Sequence, residues 1–173
     1  NLFCNDNYLT SLNVSTCSGL LGLWCYGNNL TNITLNNHPV LRYLDANNNL
    51  LTNVNTAILP NLELLDLDDN LVSYIDIRNC PKLTSVSSSN NPNLNTLLVK
   101  NGKTNISLIY NCPNLIYICC DESEMTDYKD DVTNWGYSCE VNSYCSFTPG
   151  GTYYTFQATN NIDINSNGCD SGD

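Results

Sequence analysis

One residue recurs at a fixed interval along most of this chain. Asn7, Asn28, Asn49, Asn70, Asn91 and Asn111 are separated by 21, 21, 21, 21 and 20 residues, and a period of this size marks a chain that stacks copies of one small unit. Each asparagine stands three places after an inward-type residue: Cys4, Cys25, Ala46, Leu67, Ser88 and Leu108. Two places earlier lies a second apolar column, Leu2, Leu23, Leu44, Leu65, Val86 and Ile106. Side chains alternate across a strand, so the phrase Leu-x-Cys/Leu-x-x-Asn predicts a short strand in every unit with its apolar residues on one face. The asparagine is read as structural. A buried amide supplies donors and an acceptor together, and can satisfy the backbone groups freed where each coil leaves its strand. Asn48, beside Asn49, is read as exposed.

A second phrase fills the other half of each unit: Leu9-x-x-Leu12-x-Val14, Leu30-x-x-Ile33-x-Leu35, Leu51-x-x-Val54-x-Thr56, Val72-x-x-Ile75-x-Ile77, Leu94-x-x-Leu97-x-Val99 and Leu115-x-x-Ile118-x-Cys120. A 21-residue coil leaves no room for a full helix after one strand and two turns, and β-branched alternation favours extended backbone. The expectation is a leucine-rich-repeat solenoid of six coils over residues 1–120, with parallel strands on the concave side and extended or 3₁₀ structure on the convex side. After Cys120 the pattern changes. Met125, Tyr128, Val132 and Trp135 fall at helical spacing behind Asp121, Glu122 and Glu124, with Gly136 just past the end, which predicts a capping helix and then a strand over residues 121–144. Residues 145–173 read as one strand and an Asp/Asn-rich loop opening a further domain.

Composition narrows the partners. Six Lys and Arg against seventeen Asp and Glu give a net charge of -11, which argues against nucleic acid and anionic membrane. No apolar run approaches a membrane span, so no insertion is expected, and the opening at Asn1 without a basic, apolar leader reads as a processed or trimmed chain. Ten cysteines with a single histidine and no Cys-x-x-Cys pair do not read as zinc sites; an oxidising, extracytoplasmic setting fits them better. Cys4, Cys25 and Cys120 fall in inward columns and are expected as reduced, buried thiols. Cys17, Cys80 and Cys112 fall in turns without an obvious mate.

Units such as Leu23-Trp24-Cys25-Tyr26-Gly27-Asn28-Asn29-Leu30-Thr31, with the tail Cys145-Ser146-Phe147-Thr148-Pro149-Gly150-Gly151-Thr152-Tyr153-Tyr154 and Asn167-Gly168-Cys169-Asp170, resemble surface leucine-rich-repeat proteins of flavobacteria and related Bacteroidetes, internalin-like arrays exported by the type IX system. The resemblance covers nearly the whole chain. It implies an exported protein, extracellular or at the cell surface, although the C-terminal sorting domain of that group is absent from these residues. It also implies that Cys119, pointing the opposite way from Cys120, pairs with a cysteine of the cap, here Cys139. The second pair is then Cys145 with Cys169.

Three places could carry chemistry. His38 lies beside Pro39 and reads as a solvated turn residue, so no Ser-His-Asp triad is expected and the chain is read as non-catalytic. The loop Asp163-x-Asn165-x-Asn167-Gly168 with Asp170 presents oxygen ligands at alternate positions, as the start of a calcium loop does; a turn of exposed acids is the competing reading. No other cofactor is expected. The concave face carries Phe3, then Trp24 and Tyr26, then Tyr43, Asp45 and Asn47, then Asp66, Asp68 and Asp69, then Ser87 and Ser89. Neighbouring aromatics beside carboxylates have the composition of a binding patch. Trp24, Tyr26, Tyr43, Asp45, Asp66, Asp68 and Asp69 are therefore the candidate site. The expected function is recognition or adhesion through a protein or carbohydrate ligand, by a monomer. A rigid surface spacer is the alternative, and the column Thr10, Thr31, Thr52 and Ser73 raises ice or ordered-polymer binding as a third.

Overall fold

The computed structural model describes residues 1–104 and 106–146. Over these the chain winds as a solenoid of parallel strands. The front sheet has six strands in the order β1 (Leu2–Phe3), β3 (Gly22–Trp24), β5 (Tyr43–Asp45), β6 (Leu64–Asp66), β8 (Ser85–Ser87) and β10 (Ile106–Leu108). On the back, β2 (Leu12–Asn13) pairs with β4 (Ile33–Thr34), and β7 (Tyr74–Asp76), β9 (Thr96–Leu98), β11 (Tyr117–Cys119) and β12 (Glu140–Asn142) form a second group. A 3₁₀ turn at Thr56–Ile58, capped by the Asn55 side chain accepting from the Ala57 N–H, interrupts the back between the two groups. The back is thus extended in most coils and 3₁₀ in one.

Leu2, Leu23, Leu44, Leu65, Val86 and Ser107 stand opposite one another strand by strand. Leu23, Leu44, Leu65 and Val86 are buried with Leu30, Leu51, Val72 and the back residues Ile75, Leu97 and Ile118. Fully burying such a side chain is worth roughly 1.5–3 kcal/mol. That attraction has no direction, however, and does not by itself set which residue stacks on which.

The asparagines set it. Asn49 Nδ2 donates to the carbonyls of Ala46 and Asn47 in its own coil and of Cys25 in the coil before, while its Oδ1 accepts the Leu30 N–H at 2.9 Å. Asn28 does the same with Cys25, Tyr26, Cys4 and Leu9. Asn70 and Asn91 repeat the pattern, their Oδ1 atoms holding Leu51 and Val72. Immediately before each rung the backbone turns left-handed: φ is 54° at Asp6, 63° at Gly27, 51° at Asn48, 52° at Asp69, 57° at Asn90 and 57° at Asn111. Glycine, asparagine and aspartate tolerate that region best, and no other residue type occupies the column. Asn48 is exposed, as expected, but it is not conformationally free.

The left-handed column corrects the sixth coil. Asn111 belongs to it rather than to the ladder, is exposed, and donates to Asn90 Oδ1. Cys112 takes the sixth rung, its thiol donating to the Ser88 carbonyl at 3.3 Å. Ser107 accordingly pairs with Val86, Leu108 is 57% exposed and Ile109 is buried. The inward assignment of Leu108 is therefore one residue early, and in the backbone register Ile106 stands opposite Ser85. Asn7, at the other end, is exposed, and its side chain bonds only within its own coil, to the Cys4 and Asn5 carbonyls.

Helix α1 (Met125–Asn134) closes the C-terminal end, burying Tyr128 and Val132. It stops in a Schellman motif: Gly136, at φ 71°, donates to Thr133 O, and Tyr137 to Val132 O at 2.8 Å. β12 then lies parallel to β11 with Asn142 opposite Cys119. That register corrects the disulfides. Cys139 precedes β12 and turns toward the main core, where burial pushes its thiol up to about 12. Cys145, three residues beyond β12, reaches Cys119, with a Cα–Cα distance of 5.2 Å. The pairs Cys119 with Cys139 and Cys145 with Cys169 are thereby replaced; Cys169 lies outside the described residues. His38 is corrected too: it is fully buried, with neither ring nitrogen hydrogen-bonded.

Asn49→Ala is expected to cost about 1–3 kcal/mol, because it leaves the buried Leu30 N–H without its acceptor and removes one of the donors to each of the Cys25, Ala46 and Asn47 carbonyls; Asn7→Ala should cost far less. Asn48→Ala should be more costly than Asn48→Gly by about 1 kcal/mol, through left-handed strain alone. Urea unfolding of the four variants checks this. Peptide mapping without reduction should recover Cys119 joined to Cys145, a crosslink closing a loop worth on the order of 3 kcal/mol.

Candidate functional site

The front strands present three outward rows. Gly22, Tyr43, Leu64 and Ser85 form one; Phe3, Trp24, Asp45, Asp66 and Ser87 the next; and Asn5, Tyr26, Asn47, Asp68 and Ser89 the third. Phe3 and Trp24 stack with ring centres 4.6 Å apart and planes 13° from parallel. Trp24 and Tyr43 continue the stack at 6.2 Å and 25°, although they come from different rows. Gly22 allows this. A Cβ there would stand 2.4 Å from the six-membered ring of Trp24, so the bare backbone of one row is what lets the indole lean across to Tyr43. The Arg42 guanidinium lies over the Tyr43 ring, 5.4 Å from its centre.

Beside the stack lies a group of carboxylates. Asn47 Nδ2 donates to Asp45 Oδ1 at 2.7 Å and to Asp66 Oδ2 at 3.4 Å. The Asp68 N–H donates to Asp66 Oδ1 at 3.0 Å. Asp68 Oδ1 in turn accepts from the Ser87 hydroxyl and the Ser89 N–H, both at 2.6 Å. Burial raises the carboxyls of Asp45 and Asp66 above the ordinary range, and repulsion from Asp68 adds to it in both; hydrogen bonds from Asn47 and from the Asp68 N–H pull partly the other way. No cation offsets them among the described residues, whose salt bridges join Arg42 to Glu63 and Arg78 to Asp76. Half-buried acids without a counter-charge cost stability, and such groups concentrate at sites that meet a ligand.

The front face therefore brings together Trp24, Tyr43, Asp45, Asp66 and Asp68. Tyr26 is half-buried in the third row. Asp69 stands apart: it is an exposed member of the left-handed column, with its N–H on the Ser89 carbonyl. Trp24 is not wholly exposed but half-buried among its neighbours on the face. Asn47, Ser87 and Ser89 were legible as face residues, but spacing alone does not show that they, with Gly22, hold the others in place. Asp163, Asn165, Asn167 and Asp170 lie outside the described residues.

No protein-family model matches the chain, and no curated protein matches it. Among solved structures it is similar to the functional domain of InlJ from Listeria monocytogenes, which includes a cysteine ladder, at a TM-score of 0.62 and 27% identity over 66% of this chain and 25% of that one. The chain thus spans about a quarter of the length of that neighbour, an internalin built of leucine-rich repeats. The likeness agrees with the strand order and the repeat, and the chain is a leucine-rich-repeat solenoid.

A carboxyl whose folded pKa lies above its unfolded one binds its proton more tightly in the folded protein. It favours folding below the unfolded value, near 4, and that contribution is lost as pH rises through the folded value. Ionised Asp45 and Asp66 therefore oppose folding at neutral pH. Asp66→Asn, which keeps an acceptor for the Asp68 N–H, should melt above the parent at pH 7, with the gap closing as pH falls to about 4. Melting curves across that window test the sign. A lower melting temperature at pH 7 would contradict it.

Proposed function

We propose that this solenoid is a non-catalytic recognition module that binds a protein through its front face, with Phe3, Trp24 and Tyr43 as apolar anchors and Asp45, Asp66 and Asp68 receiving basic side chains. The observation that carries the reading is the continuous stack running into uncompensated carboxylates. Few large anchors usually carry most of the energy of such an interface, and neighbouring charges set partner choice and approach rate. A protein is favoured over a sugar by the stacking itself. Trp24 has an aromatic ring stacked on it from each neighbouring strand, so it offers a ligand edges rather than a free ring face.

The likeness to an internalin supports protein binding, and the Cys119–Cys145 disulfide supports an oxidising, extracellular setting. Adhesion at a cell surface is the biological role proposed for it. Calcium at Asp163, Asn165, Asn167 and Asp170 is proposed only as a structural ion; calorimetric titration with calcium chloride tests it.

Hexa-arginine and the neutral sugars cellohexaose and chitohexaose serve as probes. Calorimetry should show hexa-arginine binding that weakens on doubling the salt, and that falls by about tenfold in Trp24→Ala and in Asp66→Asn, a loss of about 1.4 kcal/mol each. Sugar binding that ignores salt and is lost in Trp24→Ala would replace the protein reading with a glycan one. Equal behaviour of the parent and both variants toward every probe would favour a rigid spacer.

A further inference from the structure

The lateral surface leading into the front strands is polar in most coils. It changes character at one place. Leu21 and Val40 are 49% and 38% exposed, where the same columns carry Glu63, Thr84, Asn61 and Lys82 in later coils. With Pro39 they line a cleft of about 400 Å³, rimmed by Arg42, Glu63 and Lys82. Solenoid packing does not account for these side chains, since the core residues of the same coils, Leu20, Leu41 and Leu62, are already buried beneath.

The cleft is preformed. The Asn61 amide donates to the Pro39 carbonyl, the Leu41 N–H to His38 O, and the Arg42 N–H to Leu21 O at 2.8 Å. Its volume lies at the lower end of the roughly 300–1,000 Å³ of clefts that hold ligands. The charges on its rim are unequal. Glu63 is held in two-point fashion by Arg42, with Nε to Oε1 at 2.8 Å and Nη2 to Oε2 at 2.7 Å, and this pairing, foremost, holds the Glu63 carboxyl below its usual range. Lys82 is exposed and makes no salt bridge among the described residues. Lys82 also acts on the Glu63 carboxylate, though less than Arg42 does, so Arg42, Glu63 and Lys82 together leave the cleft one positive charge in excess, on a chain whose net charge is -11. The cleft also adjoins the front face, because Arg42 lies over Tyr43.

We infer that this cleft is a second docking site, taking one aliphatic side chain of a protein partner with an adjacent carboxylate of that partner on Lys82. The inference rests on the proposed function only in taking the ligand to be a protein. Its chemistry is the opposite of the front face: aliphatic and acidic here, basic there. A partner meeting both would carry a basic segment and, beside it, an acidic one with an exposed leucine or isoleucine, which fixes its orientation along the solenoid axis.

The probes are the blocked tetrapeptides Glu-Leu-Ile-Glu and Lys-Leu-Ile-Lys, titrated into the whole chain and followed by amide chemical shifts. The acidic peptide should move the Val40 and Lys82 signals in a saturable way, and the basic one should not. Lys82→Gln should weaken the acidic peptide severalfold, and Val40→Asp should abolish its binding. Leu21→Asp should have the same effect and guards against a local distortion peculiar to one variant. In all three variants hexa-arginine should still bind the front face as in the parent. The inference is overturned if the acidic peptide leaves both signals unmoved, if both peptides bind alike, or if the variants bind the acidic peptide as the parent does. Each of those results would leave the front-face reading intact, while loss of hexa-arginine binding in Trp24→Ala alone would leave the cleft untouched.

Discussion

The amide of an inward-facing asparagine, shared between two coils, is the interaction on which everything else in this structure depends. Hydrophobic burial supplies the attraction between coils, but a slip of two residues would still keep apolar side chains on the inner face, so burial alone does not choose the register. The Asn49 amide cannot be satisfied out of step: its donors are committed to Cys25, Ala46 and Asn47 and its acceptor to Leu30. A slip would leave several buried polar groups without partners, each costing about 1–3 kcal/mol, so the ladder converts a non-directional collapse into one register. The left-handed residue before each rung aims the amide inward, and its restriction to Asp, Asn and Gly follows from sterics.

Register is what makes the front face a defined surface. Because Leu23, Leu44 and Leu65 are locked in line, Trp24, Asp45 and Asp66 are locked in line outside them. The stack and the carboxylates then meet at fixed separations, set by the strands and by Asn47, Asp68 and Ser89 just beyond them. Placing Asp45, Asp66 and Asp68 together without a counter-charge opposes folding at neutral pH, and the rigid scaffold tolerates that opposition. A face built this way is preorganised, so little ordering is left to be done on binding.

Much of this was legible in the residues because a repeat states its own phase several times over. Inward and outward positions in the first five coils, the extended back and the closing helix all follow from spacing. The sixth coil departs from the asparagine spacing for a physical reason: cysteine replaces asparagine at the rung, and the left-handed position one residue earlier happens to be Asn111. The spacing of 21 from Asn91 to Cys112, and from Ser88 to Ile109, was the available signal. The disulfide partner was not available at all, since it depends on β12 pairing with β11 with Asn142 opposite Cys119. His38 was judged by its neighbour Pro39 instead of by its column, which continues as the buried Leu59 and Cys80. The lateral cleft depends on two exposed aliphatics that ordinary periodicity places in turns.

The ladder is the element that couples coil to coil, and native-state hydrogen exchange reads it directly. The N–H groups of Leu30, Leu51 and Val72 each donate to a rung oxygen on the next coil. They should exchange only through global unfolding, with protection equal to the full stability of the protein and with the same dependence on denaturant. Exchange at these three sites through separate local openings, at rates like those of the exposed turns, would contradict the claim that the asparagine amides hold the coils in register.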